Sequence, residues 1–227
     1  MRVNVAFTPA ENASAPLGIV VDVLRATSTI AQALAGGYER VLCCRDIDAA
    51  LALCERIPGA QTAGERRGVK VTEFDFGMSP REYVRARGTT LIMSTTNGTA
   101  AILEAASRCE EVWLGSLLNL GALTRAAQER GADVAVLCAG FEGAFAFDDA
   151  YCAGRIVAEL DAERSDAAVA AATIAHAFPD AWSGLTARTY GPPGLEDDIR
   201  FCARESALDV VPRFDGLEDG AAVVVAA

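Results

Sequence analysis

From Leu17 onward the sequence switches repeatedly between two hydrophobic rhythms. Compact β-branched runs such as Leu17–Val21 and 40–44 are too short for a buried helix and read as buried strands. Between them lie stretches of helical period with clear start and stop signals. Ala26–Ala35 stops at Gly36-Gly37, Asp46 can cap a segment that ends at Pro58-Gly59, and Ser79-Pro80 combines a cap with a first-turn proline. The same reading predicts strands over 61–64, 89–94, Glu111–Gly115, 133–138, 208–214 and 222–225. It predicts helices over 100–107, from Asn119 to Arg130, over 148–160, after Ser165, and over 194–205, and a long charged loop over 65–78. Strands alternating with helices imply an α/β fold with a largely parallel sheet flanked by helices. The length of 227 residues is enough for a single domain, or for two intertwined α/β subdomains.

Composition decides which functions such a fold can serve. Hydrophobic residues make up 52% of the chain and charged residues 22%, enough for a large core and too apolar for disorder. The net charge of −11 repels a polyanion, so no nucleic-acid partner is expected. No apolar run reaches the roughly 18 residues that span a bilayer. Met1-Arg2-Val3-Asn4 lacks the apolar core of a secretory signal. The expectation is a soluble cytoplasmic protein without a membrane partner; a homo-oligomer stays open. Lys70 is the only lysine, so the basic residues are otherwise arginines. Compositional bias explains that usage as a whole, as it does the many alanines; where arginines cluster near glycines and acids, their planar forks suit a small anion.

Histidine and cysteine usage removes much of the catalytic menu. His176 is the only histidine and sits in an alanine-rich helical run, where a helix-surface role is expected. Hydrolysis by Ser-His-Asp or Cys-His needs an imidazole base, and histidine-rich metal sites need several. The 7 cysteines form no CxxC pair and match no zinc spacing, so they are expected to be reduced and structural. Chemistry is left to carboxylates, arginines, hydroxyls, backbone amides and a hard metal ion.

Ligands of open α/β sheets bind outside the carboxyl ends of strands, so the residues after each strand matter most. Asp22-Val23-Leu24-Arg25-Ala26-Thr27-Ser28-Thr29 follows the first run, and Thr95-Thr96-Asn97-Gly98-Thr99 follows 89–94. Gly115-Ser116 ends the third, and Ala139-Gly140-Phe141-Glu142-Gly143 leads to Asp148-Asp149. Each opens toward a helix, whose free N–H groups favour an anion. Ser28, Thr29, Thr95, Thr96 and Thr99 add hydroxyl donors, and Arg25 adds a two-pronged one. Ordinary capping explains any one cluster; four together point to a phosphate-like ligand. Asp22 directly follows an apolar strand, where a carboxylate needs a partner. With Glu65 and Asp148 it makes an acidic set suited to Mg²⁺. Solvation alone also explains Glu65, and capping explains Asp148 or Asp149. No GxxxxGK[ST] loop, GxGxxG motif or Asp-x-Asp phosphatase signature is present.

Five segments together resemble the 2-phosphosulfolactate phosphatase family, in order and over nearly the whole chain. They are Val21-Asp22-Val23-Leu24-Arg25-Ala26-Thr27-Ser28-Thr29-Ile30; Gly64-Glu65-Arg66-Arg67-Gly68-Val69-Lys70 with Phe74-Asp75-Phe76-Gly77-Met78-Ser79-Pro80; and Thr95-Thr96-Asn97-Gly98-Thr99. The others are Cys138-Ala139-Gly140-Phe141-Glu142-Gly143 with Asp148-Asp149-Ala150 and Cys152-Ala153-Gly154, and Asp197-Asp198-Ile199-Arg200-Phe201-Cys202-Ala203 with Val210-Val211-Pro212. The resemblance implies a Mg²⁺-dependent phosphatase with an α/β fold of its own. It would convert (2R)-phospho-3-sulfolactate to sulfolactate and phosphate, a step toward coenzyme M in methanogens. On this reading Asp22, Arg25, Glu65 and Asp148 are the expected catalytic set, with Asp22, Glu65 and Asp148 on the metal. Thr27, Ser28, Arg66, Lys70, Thr95, Thr96, Asn97, Gly98, Gly140 and Arg188 are the expected substrate contacts. Arg25 would take the phosphate, and Arg66 or Lys70 the carboxylate or sulfonate. Asp22 can attack phosphorus or hold the metal; both roles stay open. The chain departs from the family at Met78, where asparagine is usual, and over 183–188, which lacks the usual histidine and glycine. A non-catalytic anion-binding relative and another Mg²⁺-dependent phosphoryl transfer are the alternatives.

Overall fold

The computed structural model describes residues 1–191 and 193–227. Among them the chain forms one 11-stranded mixed sheet and α-helices on both of its faces. The strands are β1 (Arg2–Ala6), β2 (Leu17–Val21), β3 (Arg40–Cys43), β4 (Gln61–Arg66), β5 (Val69–Lys70), β6 (Thr90–Ser94), β7 (Glu111–Gly115), β8 (Val134–Cys138), β9 (Glu163–Arg164), β10 (Pro212–Glu218) and β11 (Ala221–Ala226). The helices are α1 (Ala26–Ala35), α2 (Ile47–Arg56), α3 (Gly98–Ala106), α4 (Leu120–Arg130), α5 (Phe147–Glu159), α6 (Asp166–His176), α7 (Ala181–Thr186) and α8 (Glu196–Cys202). The α/β reading therefore holds, and most strand pairings are parallel.

The sheet order is β5-β4-β6-β3-β11-β10-β7-β2-β8-β1-β9. The C-terminal hairpin β10–β11 sits in the middle, antiparallel to β7 on one side and to β3 on the other. Consequently the parallel block β4-β6-β3 runs opposite to the parallel block β7-β2-β8-β1. A flat sheet would keep β6 and β2 far apart, at about 4.8 Å per strand step. Sheets twist by about 20–25° per strand step. One face packs on α1 and α3, with Val20, Val41, Leu91, Leu114 and Val224 in one continuous core. The outer face is covered by α4 to α8 over Ile19, Val21, Trp113 and Val136, and by α2 over Leu42 and Ile92. This two-sided burial explains why β2 reads as an unbroken apolar run: all five of its residues are buried.

Several sequence-based boundaries shift. The last two strands form one hairpin, and the first begins at Pro212 rather than at 208. Proline is tolerated as the first residue of a strand, while Val210 and Val211 are buried before it. Residues 65–78 are not all loop, because β4 continues to Arg66 and turns back into β5. Ser79 opens only a short 3₁₀ turn, Pro80–Tyr83, without capping it. Asn119 does not cap α4 either; its buried amide accepts from Ser116 and donates to the Leu114 and Val210 carbonyls. Asp46 and Ser165 do cap their helices, accepting from the amides of Ala49 and Ala168. β1 and α7 were not anticipated.

Candidate active site

The end of β2 lies against the start of α3, although β2 and β6 belong to opposed blocks. Between them opens a cleft of about 580 Å³, continuous with solvent. Its walls come from the loop after β2 (Asp22, Leu24, Arg25, Ala26), the β4–β5 hairpin (Glu65, Arg67, Gly68) and the loop after β6 (Thr95, Thr96, Asn97). Phe141 and Glu142 after β8 and Arg188 and Tyr190 before α8 complete it. The anticipated clusters thus meet, with one exception. The Gly115-Ser116 turn stays outside, because the Ser116 amide and hydroxyl both donate to Asn119 Oδ1.

Asp22 is the centre of the acidic set. Its Oδ1 accepts the Ala26 amide at 3.2 Å, at the start of α1. Burial raises its carboxyl to about 7, despite that amide, and the negative charges of Glu65 and Asp148 push in the same direction. Glu65 is pinned between two loops: Oε2 accepts the Gly68 amide at 2.6 Å and Oε1 the Thr96 amide at 2.8 Å. Asp148 lies buried in the first turn of α5, where it accepts from the Tyr190 hydroxyl. Burial raises the Asp148 carboxyl, although Tyr190 and the charge of Arg188 oppose the rise. Asp149, beside it, accepts the Val23 amide at 2.9 Å and the Gly140 amide at 3.0 Å. It therefore ties the loop after β2 to the loop after β8. Its carboxyl is raised by burial and by the nearby charges of Asp148 and Asp22.

The basic side is built around Arg25. One terminal nitrogen, Nη1, donates to Asp198 Oδ2 at 2.9 Å, and the other, Nη2, to the Gly68 carbonyl at 3.0 Å. Arg188 lines the cleft with its guanidinium 5.9 Å from the Tyr190 ring centre. The Tyr190 ring in turn packs 4.7 Å from that of Phe141. Arg67 and Glu142 approach each other to 3.5 Å, a solvent-exposed contact between the hairpin and the loop after β8.

The remaining anticipated contacts divide clearly. Thr95, Thr96, Asn97 and Arg188 line the cleft, and Gly98 abuts Asp22. Thr27 and Ser28 are buried, with hydroxyls bonded to the Asp22 and Val23 carbonyls. They shape the loop rather than face the cleft. Arg66 donates to the Ser94 hydroxyl and carbonyl, and Lys70 to the Asp75 carbonyl; neither lines the cleft. Gly140 serves the backbone. Its φ is +68°, and a side chain there would collide with the Ala144 carbonyl. His176 is exposed at the end of α6, away from the cleft, and all 7 cysteines are free.

Tyr190, Phe141 and Asp198 were not assigned roles from the sequence. Tyr190 carries no local signal, and its bond to Asp148 spans 42 residues. Asp198 stood in a recognised motif, but its ion pair with Arg25 spans 173 residues.

All donors in the acidic set are carboxylate oxygens, which suits a hard cation. Positive charge nearby would also oppose the rise that burial gives the Asp22 and Asp148 carboxyls. Among the described residues no three histidine, cysteine or acidic side chains lie close enough to share one ion. A cation here would therefore complete its shell with water and ligand oxygens, as Mg²⁺ commonly does.

Comparisons with known proteins give the chain's relatives. The model of the 2-phosphosulpholactate phosphatase family matches residues 5–216. The chain is 38% identical to a protein of Thermus thermophilus over 95% of each chain. It is 36% identical to one of Carboxydothermus hydrogenoformans over 99% of this chain and 97% of that one. A Synechococcus relative is 39% identical over 86% and 87%. All three bear the name "Probable 2-phosphosulfolactate phosphatase". A cleft that joins arginines to carboxylates at strand ends, within a match this long, has one reading: the chain belongs to the 2-phosphosulpholactate phosphatase family of phosphoric monoester hydrolases.

Proposed function

We propose that the chain hydrolyses the phosphate ester of a small 2-hydroxy acid with a second anionic group, (2R)-phospho-3-sulfolactate being the leading candidate. The observation that carries this reading is that Asp22 and Glu65 line one cleft together with Arg25 and Arg188, while Asp148 is buried beside it and bonded to the cleft residue Tyr190. The names of the relatives supply the substrate class. The products would be sulfolactate and inorganic phosphate, with water contributing the oxygen that ends on phosphorus.

Each chain element has a task in this scheme. Arg25 binds phosphoryl oxygens through its unpaired N–H groups, and the N-terminal turn of α3 adds backbone donors and hydroxyls. Arg188, farther along the cleft wall, takes the carboxylate or sulfonate. Donors fixed before the substrate arrives stabilise charge as it moves onto the leaving oxygen. Of the acidic set, Asp22 and Glu65, which line the cleft, would hold Mg²⁺, with water and ligand oxygens completing its shell. The ion, when bound, offsets negative charge on the phosphoryl group. Arg66 and Lys70 support the hairpin instead of the substrate.

Phosphate release from a panel of phosphorylated 2-hydroxy acids, with Mg²⁺ and with a chelator, tests the reading. Turnover confined to diacidic esters and abolished by the chelator is expected. No release from any ester in the presence of Mg²⁺ would overturn it.

A further inference from the structure

We propose that Asp198 is a positioning residue that fixes the Arg25 guanidinium for phosphoryl transfer, an inference that rests on the phosphatase reading above. Asp198 comes from α8, the last helix, and Arg25 from the loop after β2. The pair is enclosed, with side-chain exposures of 5% and 11%. An aspartate so enclosed requires partners, and Asp198 has three. Oδ2 takes Arg25 Nη1 alone, while Oδ1 accepts the Ser79 hydroxyl at 2.5 Å and Arg81 Nε at 2.9 Å. Ser79 and Arg81 thus lock the carboxylate from one side and leave its other oxygen for Arg25. On the far edge of Arg25, the Gly68 carbonyl accepts from Nη2.

A guanidinium has five N–H groups. Two of those on Arg25 are held by Asp198 and Gly68, and the other three have no partner among the described residues, while the side chain lines the cleft. An arginine loses considerable rotamer freedom when it is fixed. Here the fold imposes that loss before substrate arrives. Asp198 also carries a charge that partly offsets Arg25, so it does not strengthen ground-state attraction for an anion. Its contribution is to geometry. Removing its charge should therefore lower turnover and leave KM unchanged or lower.

The test is a double-mutant cycle of Asp198→Asn and Arg25→Lys, read by phosphate release and by calorimetric binding of inorganic phosphate. Asp198→Asn is expected to lower kcat by about 10- to 100-fold with KM no higher than wild type. In the Arg25→Lys background the same change should cost less than about threefold. Ser79→Ala alone, which leaves the Arg25 contact, should lower kcat by less than about threefold, whatever it does to the melting temperature. Should Asp198→Asn fail to fold, Ser79→Ala combined with Arg81→Gln replaces it. That pair releases Oδ1, and about a tenfold kcat loss that vanishes beside Arg25→Lys is expected. Additive effects in both readouts, or a kcat near wild type in a folded variant, overturn the proposal. If wild type turns over no ester, the phosphatase reading fails separately. The binding readout would then decide alone: phosphate affinity unchanged or tighter in folded Asp198→Asn supports the positioning, and weaker affinity overturns it.

Discussion

Gly98 offers a direct test of how closely α1 and α3 set the cleft. It is the first residue of α3, is buried, and has an ordinary helical backbone, so its reason for being glycine is space. A Cβ added there would lie 2.5 Å from the Ala26 Cβ and 2.8 Å from Asp22 Oδ2. Carbon atoms in contact sit about 3.5–4.0 Å apart, so the Gly98→Ala variant must open a gap of about 1 Å. The Ala26 methyl cannot rotate out of the way. The displacement must fall on the backbone of α1 or α3, together with Asp22. Overpacking of this kind costs about 1–3 kcal/mol, against a gain of about 0.5–1 kcal/mol for replacing glycine in a helix. A net loss of about 0.5–2 kcal/mol is expected by urea denaturation. Activity should suffer more, because a 1 Å error in a reacting geometry costs on the order of 10²-fold. Gly77→Ala is the control. Its nearest neighbour would be the Glu82 carboxylate at 3.3 Å, a flexible end that can swing aside. Phosphate release and denaturation, measured on the same preparations, decide the matter. A Gly98→Ala variant with wild-type kcat and stability would refute the close contact between the two helices.

Three further outcomes follow from the geometry. Glu65→Gln can keep only one of the two amide acceptor contacts, to Gly68 or to Thr96; a loss of about 1 kcal/mol and a marked fall in kcat are expected, and an unchanged melt would argue against the pinning role. Titration of denatured, unreduced protein should find all 7 thiols, and fewer would reveal a disulfide. Burial tends to raise the Asp198 carboxyl, but hydrogen bonds from Ser79, Arg25 and Arg81 bring it below its usual 3.8. Its contribution to stability is therefore present above pH 4 and fades as pH falls through the lowered value. The melting-temperature gap between wild type and Asp198→Asn should shrink from pH 7 to pH 3, and a gap that widens would contradict the sign.

Much of the fold could be read from local rhythm. β2 and α1 lie where the apolar run and the Gly36-Gly37 stop placed them, because both-face burial and glycine termination are local properties. The central placement of the C-terminal hairpin was not legible, since nothing in 212–226 encodes which strands it will separate. The strand-end clusters were legible as chemistry, but not the way they meet. They face one cleft although β4 and β6 run opposite to β2 and β8 in the sheet. Arg66 and Lys70 look equivalent to Arg25 as cations in the sequence. Only three-dimensional partners, the Ser94 and Asp75 oxygens, separate them from the cleft. Tyr190 and Asp198 depend on contacts across 42 and 173 residues, which no local pattern records.

The hairpin at the centre of the sheet also orders the events of synthesis. During translation β3 and β7 emerge long before the two strands that will join them, so each waits with one open edge. Open strand edges invite pairing with other chains. The nascent protein is therefore most exposed to aggregation just before residues 212–226 leave the ribosome. The two halves of the cleft belong to the two blocks that the hairpin unites: Glu65 and Thr95 on one side, Asp22 and Phe141 on the other. The hairpin thus joins the blocks that carry the two halves of the cleft, and a ribosome-bound chain with residues 212–226 still shielded should hold both halves without a formed site.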